Sequence, residues 1–465
     1  MLKIIFTKEL QNYIYSLRFQ VSFLIIMLVF ITGSIGFVKT FDAAQNKYID
    51  YLNNRTEDLK RLASESATQL AIHRSAFDFA PRTNGIMSDC SEKVLPNKII
   101  YSAYNVFSFE IAKRSSNPLV KVTQGLSWSF IVTMILSFMA LLFTFDSVSG
   151  EKEQKTLPLS LSNRISRGTI LFGKFLSIIS VLLVTEITGI IISILLIIIM
   201  GNVPVDLRFL IETGGFVILS GLFIACFTAF GMLASVASKN SNVSLMISLS
   251  IWLLFVIIIP NTAIFWANKL FPIERADIVE QRRAEGWEEL NRNAPPGSWS
   301  SWDENPFFPK HELRANLQMS FLFNDKKYMD AYYSDMMQQF EKTRYFTLVS
   351  PVALFDYSNE AFLGGGYLRF KKNWDDLHIF QEQFLQFFKD FDRKDENSPH
   401  WYNPYERYST TREPVAFETV PVYEEKLSSY GQRLDFMKYY LMIMIAYTGI
   451  VFFISFALFV RYDVR

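Results

Sequence analysis

Six long apolar runs constrain this chain more than anything else in it. They cover residues 21–38, 128–145, 171–200, 210–235, 243–260 and 440–460. About 20 consecutive apolar residues carry a helix across a hydrocarbon core of about 30 Å. Inside that core no water is available to satisfy a free amide or carbonyl, so an apolar run of this kind folds as a helix. The expected fold class is therefore an all-α polytopic membrane protein with six transmembrane helices. The third run is too long for one straight crossing, which implies tilt or projection into a headgroup layer.

The composition excludes one large function class. The chain has 46 Lys and Arg against 45 Asp and Glu, a formal net charge of +1. No basic excess exists to neutralise a nucleic-acid backbone. The first run is preceded by Lys3, Lys8 and Arg18, has a long apolar core, and is followed by no Ala-x-Ala site. It reads as an uncleaved span rather than a signal peptide. Cys90 lies in a hydrophilic segment and Cys226 in the fourth run, so the two cysteines are not expected to pair.

Lys and Arg in short loops set the orientation, because they collect on the cytoplasmic side. They fall in the N-terminal segment 1–20, in the loop 146–170 (Lys152, Lys155, Arg164, Arg167), at Lys239 between runs four and five, and in the tail 461–465. Threading six spans puts all of these on one side, with both termini cytoplasmic. Two large segments, 39–125 and 261–438, then lie outside the cytoplasm. Each has apolar residues at helical spacing: Ile49, Leu52, Leu59, Leu62 and Leu70 in the first, and Met329, Tyr332, Met336 and Phe340 in the second. Leu377, Phe380, Phe384, Phe388 and Phe391 repeat in the same way. Faces this apolar need a partner, so the two segments are expected to pack into one mainly helical extracytoplasmic domain. In the N-terminal segment Phe6, Leu10, Ile14, Leu17 and Val21 form a stripe that suits a helix lying in the membrane interface.

Catalytic chemistry is sparse. Gly168–Lys174 matches the G-x-x-x-x-G-K start of a phosphate-binding loop, yet Phe175 stands where the magnesium-binding Ser or Thr is needed. No strand pattern precedes it, and bulky Ile170, Leu171 and Phe172 lead into a span. His73, His311, His378 and His400 are scattered, and His311-Glu312 lacks the second histidine of a zinc-protease motif. The chain is not expected to be an enzyme, and neither a metal nor a cofactor is expected. Glu186 stands apart, because it lies near the middle of the third run. An ionisable residue there faces a bundle interior or a wet cavity. It serves either as a polar contact on a substrate route or subunit seam, or as a neutral acid bonded to Ser or Thr. Trp287, Trp299, Trp302, Phe307 and Phe308 form an aromatic cluster that suits domain core, headgroup contact or a ligand platform.

The order of residues around the first cytoplasmic loop resembles the permeases of the ABC-2 class of ABC transporters. The resemblance rests on Lys8-Glu9, Gly150-Glu-Lys-Glu153, Thr156-Leu157, Ser162, Arg164, Ser166-Arg167 and Gly173-Lys174. It implies a transmembrane permease subunit in the bacterial cytoplasmic (inner) membrane that couples ATP hydrolysis by partner ATPase subunits to export of a substrate. It further implies that Glu151, Lys152, Glu153, Thr156, Leu157, Arg164 and Arg167 dock the ATPase, and that two permeases pair as a homo- or heterodimer. The large outer segments, with Leu348-Val-Ser-Pro351, Phe355 and Glu360, resemble the variant with an expanded extracytoplasmic domain (DUF3526-like). That variant implies an extracytoplasmic protein partner or a bulky cargo. Two other functions stay open: relaying ATP-driven motion to such a partner without transport, and a membrane sensor or scaffold with no ATPase.

Overall fold

The computed structural model describes residues 2–89, 92, 95–110, 126–158, 165–201, 203–299, 309–402 and 410–461. Cys90, Arg164, Trp302, Phe307, Phe308 and the tail beyond Arg461 lie outside the described residues. Among those described, six helices are long and apolar enough to cross a membrane: Leu17–Glu65, Trp128–Glu153, Arg167–Met200, Leu207–Ala237, Ser241–Ala263 and Tyr430–Arg461. They are numbered as spans one to six. Span four is the hub, with 67% of its apolar window buried against 17% in span five. Its Phe216, Phe223 and Phe227 centre a continuous apolar core that Phe30, Trp128 and Ile178 share. Spans one and three approach closely where Gly189 lacks a side chain. A Cβ there would sit 2.3 Å from the Phe30 ring.

A separate helix, Leu2–Ile14, precedes span one. The chain bends at Ser16, whose hydroxyl accepts the Phe19 N–H and so caps the next helix. Span one then runs 49 residues without a break, about 73 Å at about 1.5 Å per residue. Its apolar run ends at Val38, yet nothing stops the helix there. Residues 39–65 contain neither Gly nor Pro, and Leu59, Leu62 and Ala63 give the extension a face to bury. Ser66 ends it and caps the short helix Ala67–Ile72.

The extension enters a domain built from both large segments. One of its cores joins Leu59, Leu62 and Leu70 to Phe384, Phe388, Val415 and Val420. A second joins Phe77, Ile99 and Val106 to Tyr333, Phe370, Trp374 and Leu377. The residues of the second core in the first segment lie on a three-stranded antiparallel sheet, β1 Ser75–Asp78, β2 Lys98–Tyr101 and β3 Val106–Glu110, in that order. Ser75 pairs with Tyr101, and Lys98 pairs with Glu110. The helical reading of the sequence had no place for this sheet. Strands of four or five residues are too short to show a period of two against a helical background. The long helices Pro309–Thr347 and Gly366–Asp392 complete the domain.

Between them, the helix Pro351–Leu363 leaves the domain and packs in the span core. Its start is a Ser-Pro pair: Ser350 accepts the Val352 N–H, and Pro351, which has no N–H to lose, takes the first turn. Its end is Gly364 at φ 66°, a left-handed cap position that favours glycine. The Ser350 hydroxyl donates to the Phe255 carbonyl of span five, and Tyr447 of span six donates to the Val349 carbonyl. Both residues lie inside their apolar runs, so the bend dips about 6–10 Å below the run ends at about 1.5 Å per residue. Thirteen residues are too few to cross. The segment enters and leaves on one side, with Phe355 stacked on Phe223 at 4.8 Å.

Candidate functional site

The loop at 146–170, which begins within the last turns of span two, is held by Glu151, Lys152, Glu153, Thr156, Leu157 and Arg167. The Ser235 hydroxyl of span four accepts the backbone N–H groups of Val148 and Ser149, each at 3.0 Å. The short helix Ser149–Glu153 follows. The Lys152 ammonium donates to the carbonyls of Val236 at 2.5 Å and Ser238 at 3.0 Å, at the end of span four. Carbonyls there have no partner within the helix, and a cation complements the helix dipole. The Glu153 carboxylate accepts the Ser241 N–H at 3.1 Å, the mirror arrangement at the start of span five. These two adjacent side chains grip the turn between spans four and five from both ends.

Glu151 points the other way. It lies 2.7 Å from the Lys174 ammonium of span three, which also approaches Glu9 of the first helix at 3.5 Å and donates to the Ser147 carbonyl. Lys174 is almost fully buried. The lysine of the phosphate-loop lookalike is therefore an internal clamp, set in a continuous helix with two carboxylates already beside it. The Thr156 N–H closes on the Glu151 carbonyl at 2.9 Å, and Leu157 is buried in the span core. Arg167 donates to the Val460 carbonyl at 2.7 Å, at the end of span six. Gln154, Lys155 and Pro158 remain outward, together with part of Glu153. Lys155 adopts φ 55°, which a non-glycine residue takes only in a tight turn.

The N-terminal helix seals the flank of this platform. A Cβ on Gly173 would meet Ile5 at 2.8 Å, so the helix lies directly on span three. Tyr13 donates to the Phe143 carbonyl, and Arg18 pairs with Asp146 at 2.7 Å. Burial, then the nearby Glu9 carboxylate, push the Tyr13 hydroxyl pKa well up. The stripe read from sequence is split by the bend: Ile14, Leu17 and Val21 stay exposed, as interface-facing residues would.

Glu186 is fully buried between spans three and four. Its Oε1 accepts the Ser220 hydroxyl, and its Oε2 has no hydrogen-bond partner among the described residues. Nearby depth carries a second polar contact, Ser34 to Ser193 at 2.6 Å with the Trp128 indole N–H on the same Ser193 oxygen. Trp287 and Trp299 flank Phe321 in the large domain, and both stay partly exposed.

Sequence reasoning missed the joint at the other end of the bundle. Glu212, within the fourth apolar run, accepts from Arg433 at 3.1 Å, Arg208 at 3.1 Å and Asn84 at 2.8 Å. Asn84 also donates to the Leu363 carbonyl, so the joint ties spans four and six to the first large segment and to the inserted helix. A second pair, Arg344 with Glu360 at 2.6 Å, anchors the same helix, and the Arg344 guanidinium stacks on Tyr357. A lone acid in the first turns of a span was the available signal, since an intramembrane ionisable group needs a partner. Its partner 221 positions away was not readable.

Two comparisons bear on this arrangement. The family profile described as ABC-2 family transporter protein matches residues 3–373. A protein of Stutzerimonas stutzeri, the probable ABC transporter permease protein NosY, is 31% identical over 142 residues, covering 28% of this chain and 48% of that protein. The chain thus spans about half the length of the curated relative it matches.

Proposed function

The chain belongs to the ABC-2 family of transporter proteins, and from that premise we propose that it is a permease subunit driven through its 146–170 loop by a separate ATP-binding partner. The observation that carries this reading is the wiring of that loop. Glu151, Lys152, Glu153 and the backbone at Val148 and Ser149 bind spans three, four and five directly, and Lys174 brings in the first helix. A push on such a loop reaches most of the bundle at once. The exposed residues Glu153, Gln154, Lys155 and Pro158 form the docking face; Arg164, outside the described residues, is assigned to docking by the family pattern alone. Glu151, Lys152, Thr156, Leu157 and Arg167 keep that face rigid.

In this reading both termini and the loop are cytoplasmic, the large domain is extracytoplasmic, and the membrane is the bacterial inner membrane. Two permeases pair above two ATPase subunits, which carry out the hydrolysis. Closure of the ATPases tilts the spans and exports a substrate, and Glu186 with its unbonded oxygen serves as a polar contact on the moving seam between spans three and four. Co-purification with a candidate ATP-binding subunit tests the docking. Glu153→Lys with Lys155→Glu is expected to reduce ATPase retention at least tenfold, and unchanged retention would refute it. Lys155→Cys is expected to react with a membrane-impermeant maleimide only from the cytoplasmic side, and Glu424→Cys only from the opposite side.

One observation favours a second reading. The helix of span one is continuous from the level of the loop to the core of the large domain. A rigid rod of this kind suits relaying motion to an extracytoplasmic partner without transport. ATP-dependent substrate movement in reconstituted vesicles separates the two: transport supports export, and its absence alongside partner-stimulated hydrolysis supports relay.

A further inference from the structure

A half-enclosed cavity of about 580 Å³ lies where the large domain meets the spans. Its base is formed at Pro204, Arg208 and Gly364, around the joint of spans three, four and the inserted helix. Its walls rise along the extension of span one and the segment that leads to span six. The size is that of a pocket for a drug-sized molecule.

Four arginines line it: Arg55, Arg82, Arg208 and Arg369. Three are paired, Arg82 with Glu92 at 2.6 Å, Arg369 with Glu425 at 2.6 Å and Arg208 with Glu212 at 3.1 Å. Arg55 has no carboxylate partner among the described residues. Its Nη2 donates to the Tyr101 hydroxyl at 3.1 Å and the Tyr423 carbonyl at 3.3 Å, and its buried Nε has no hydrogen-bond partner there. A guanidinium offers donors in a fork that matches a planar or tetrahedral oxyanion. A half-buried one without a carboxylate partner among the described residues suits a single oxyanion.

Much of the remaining surface is apolar. Tyr48, Leu52, Phe77, Val422 and Leu427 line the same cavity. Leu52, Val422 and Leu427 are exposed. Contiguous exposed apolar surface beside a charged group marks a ligand groove. The carboxylates at the rim limit the head rather than replace it. Asp206 accepts the Phe209 N–H, and both Asp206 and Glu424 are exposed and solvated. A second negative charge on the ligand would face them.

We propose that this cavity binds an amphiphile with a single anionic head on Arg55 and its apolar chain along Tyr48, Phe77 and Val422, entering from the membrane face below. The claim goes beyond the permease reading, and its test requires neither the ATPase nor transport. Full-length protein in nanodiscs of phosphatidylcholine is exposed to a diazirine-bearing C12 alkyl sulfonate, photolysed, and mapped by peptide mass spectrometry. The matched alcohol and trimethylammonium compounds run in parallel, with a diazirine-bearing phosphatidylglycerol as the bilayer source of the same head chemistry. The sulfonate is expected to label peptides carrying Tyr48 and Val422 at least tenfold above the alcohol and the cation. Arg55→Gln is expected to remove that excess, and Arg55→Lys to keep most of it. Val422→Trp, which fills the cavity and leaves Arg55 in place, is expected to remove labelling of the Tyr48 peptide, so loss does not depend on the arginine's structural role. Labelling by phosphatidylglycerol as well would identify the bilayer as a source; labelling by the sulfonate alone, a free amphiphile. Equal labelling by the alcohol, preference for the cation, no labelling, or indifference to both Arg55→Gln and Val422→Trp would overturn the proposal.

Discussion

The two ends of the span bundle are fastened by different chemistry. At the loop end, apart from the buried Lys174 clamp on Glu151 and Glu9, side chains bind backbone: Lys152 to the last carbonyls of span four, Glu153 to the first amide of span five, and Arg167 to the end of span six. At the domain end, charged side chains bind one another out of solvent, as in Glu212 with Arg433, Arg344 with Glu360, and Arg369 with Glu425. Half-exposed charge-to-helix-end contacts exchange readily with water and contribute modestly. A buried pair is different: breaking it strands an uncompensated charge. Away from the Lys174 clamp the loop end can thus shift at small cost, whereas the domain end moves as one body with the tops of spans four and six. An input that moves a pliable base under a rigid head suits conversion of loop displacement into domain displacement.

The largest test of this contrast lies at the domain end. Glu212→Leu leaves the Arg433 guanidinium with the Phe362 and Ser428 carbonyls and the Tyr430 ring, and without its carboxylate. A loss of about 3–5 kcal/mol is expected, read as the drop in unfolding free energy in detergent. Pairing it with Arg433→Leu should recover much of that loss, because only the partly exposed Arg208 then lacks its partner. If the double variant were as unstable as the single one, the buried pair would not be what holds this end. A smaller effect is expected at the inserted helix. Ser350→Ala removes both the cap on Val352 and the bond to Phe255, for a loss of about 1–2 kcal/mol in the same measurement. Hydrogen exchange should quicken along Pro351–Leu363 and not in the loop at 146–158.

The same contrast explains what was legible in the sequence. Spans declare themselves because about 20 apolar neighbours suffice, a purely local pattern. The loop was legible for the same reason, since Glu151, Lys152 and Glu153 reach helices only a short distance away in space and carry a compact family pattern. Their individual roles were not legible: outward Glu153 and inward Glu151 look alike on the page. The stripe of Ile49, Leu52, Leu59 and Leu62 was legible beyond Val38, but the unbroken helix that joins it to span one was not, because the charged residues 39–65 separate the two patterns on the page. The inserted helix has its start and stop written in Ser350-Pro351 and Gly364, yet its depth depends on Phe255 and Tyr447. The domain-end pairs join residues tens to hundreds of positions apart, and no local pattern reports such a contact.

Two loop-end changes complete the series. Lys152→Met removes the cation from the end of span four and is expected to cost about 0.3–1 kcal/mol, well below Glu212→Leu. Its effect on coupling should be larger than its effect on stability, because the loop then grips only one end of the turn between spans four and five. ATP hydrolysis and substrate movement by the reconstituted complex would show this as a several-fold fall in movement per ATP with near-normal unfolding. Equal falls in coupling and stability would make Lys152 a structural residue only.

The smallest expected effect is at Arg18 and Asp146, an ion pair at 2.7 Å whose arginine is largely exposed. Such pairs contribute less than about 1 kcal/mol, and salt screens them. Arg18→Gln should leave unfolding nearly unchanged at physiological ionic strength, with any difference from the parent vanishing at high salt. The first helix would still be held by Ile5 on Gly173 and by the Tyr13 hydroxyl on Phe143. If Arg18→Gln instead destabilised the protein as much as Glu212→Leu and did so independently of salt, the loop end would be as tightly locked as the domain end. Motion would then have to begin elsewhere in the bundle.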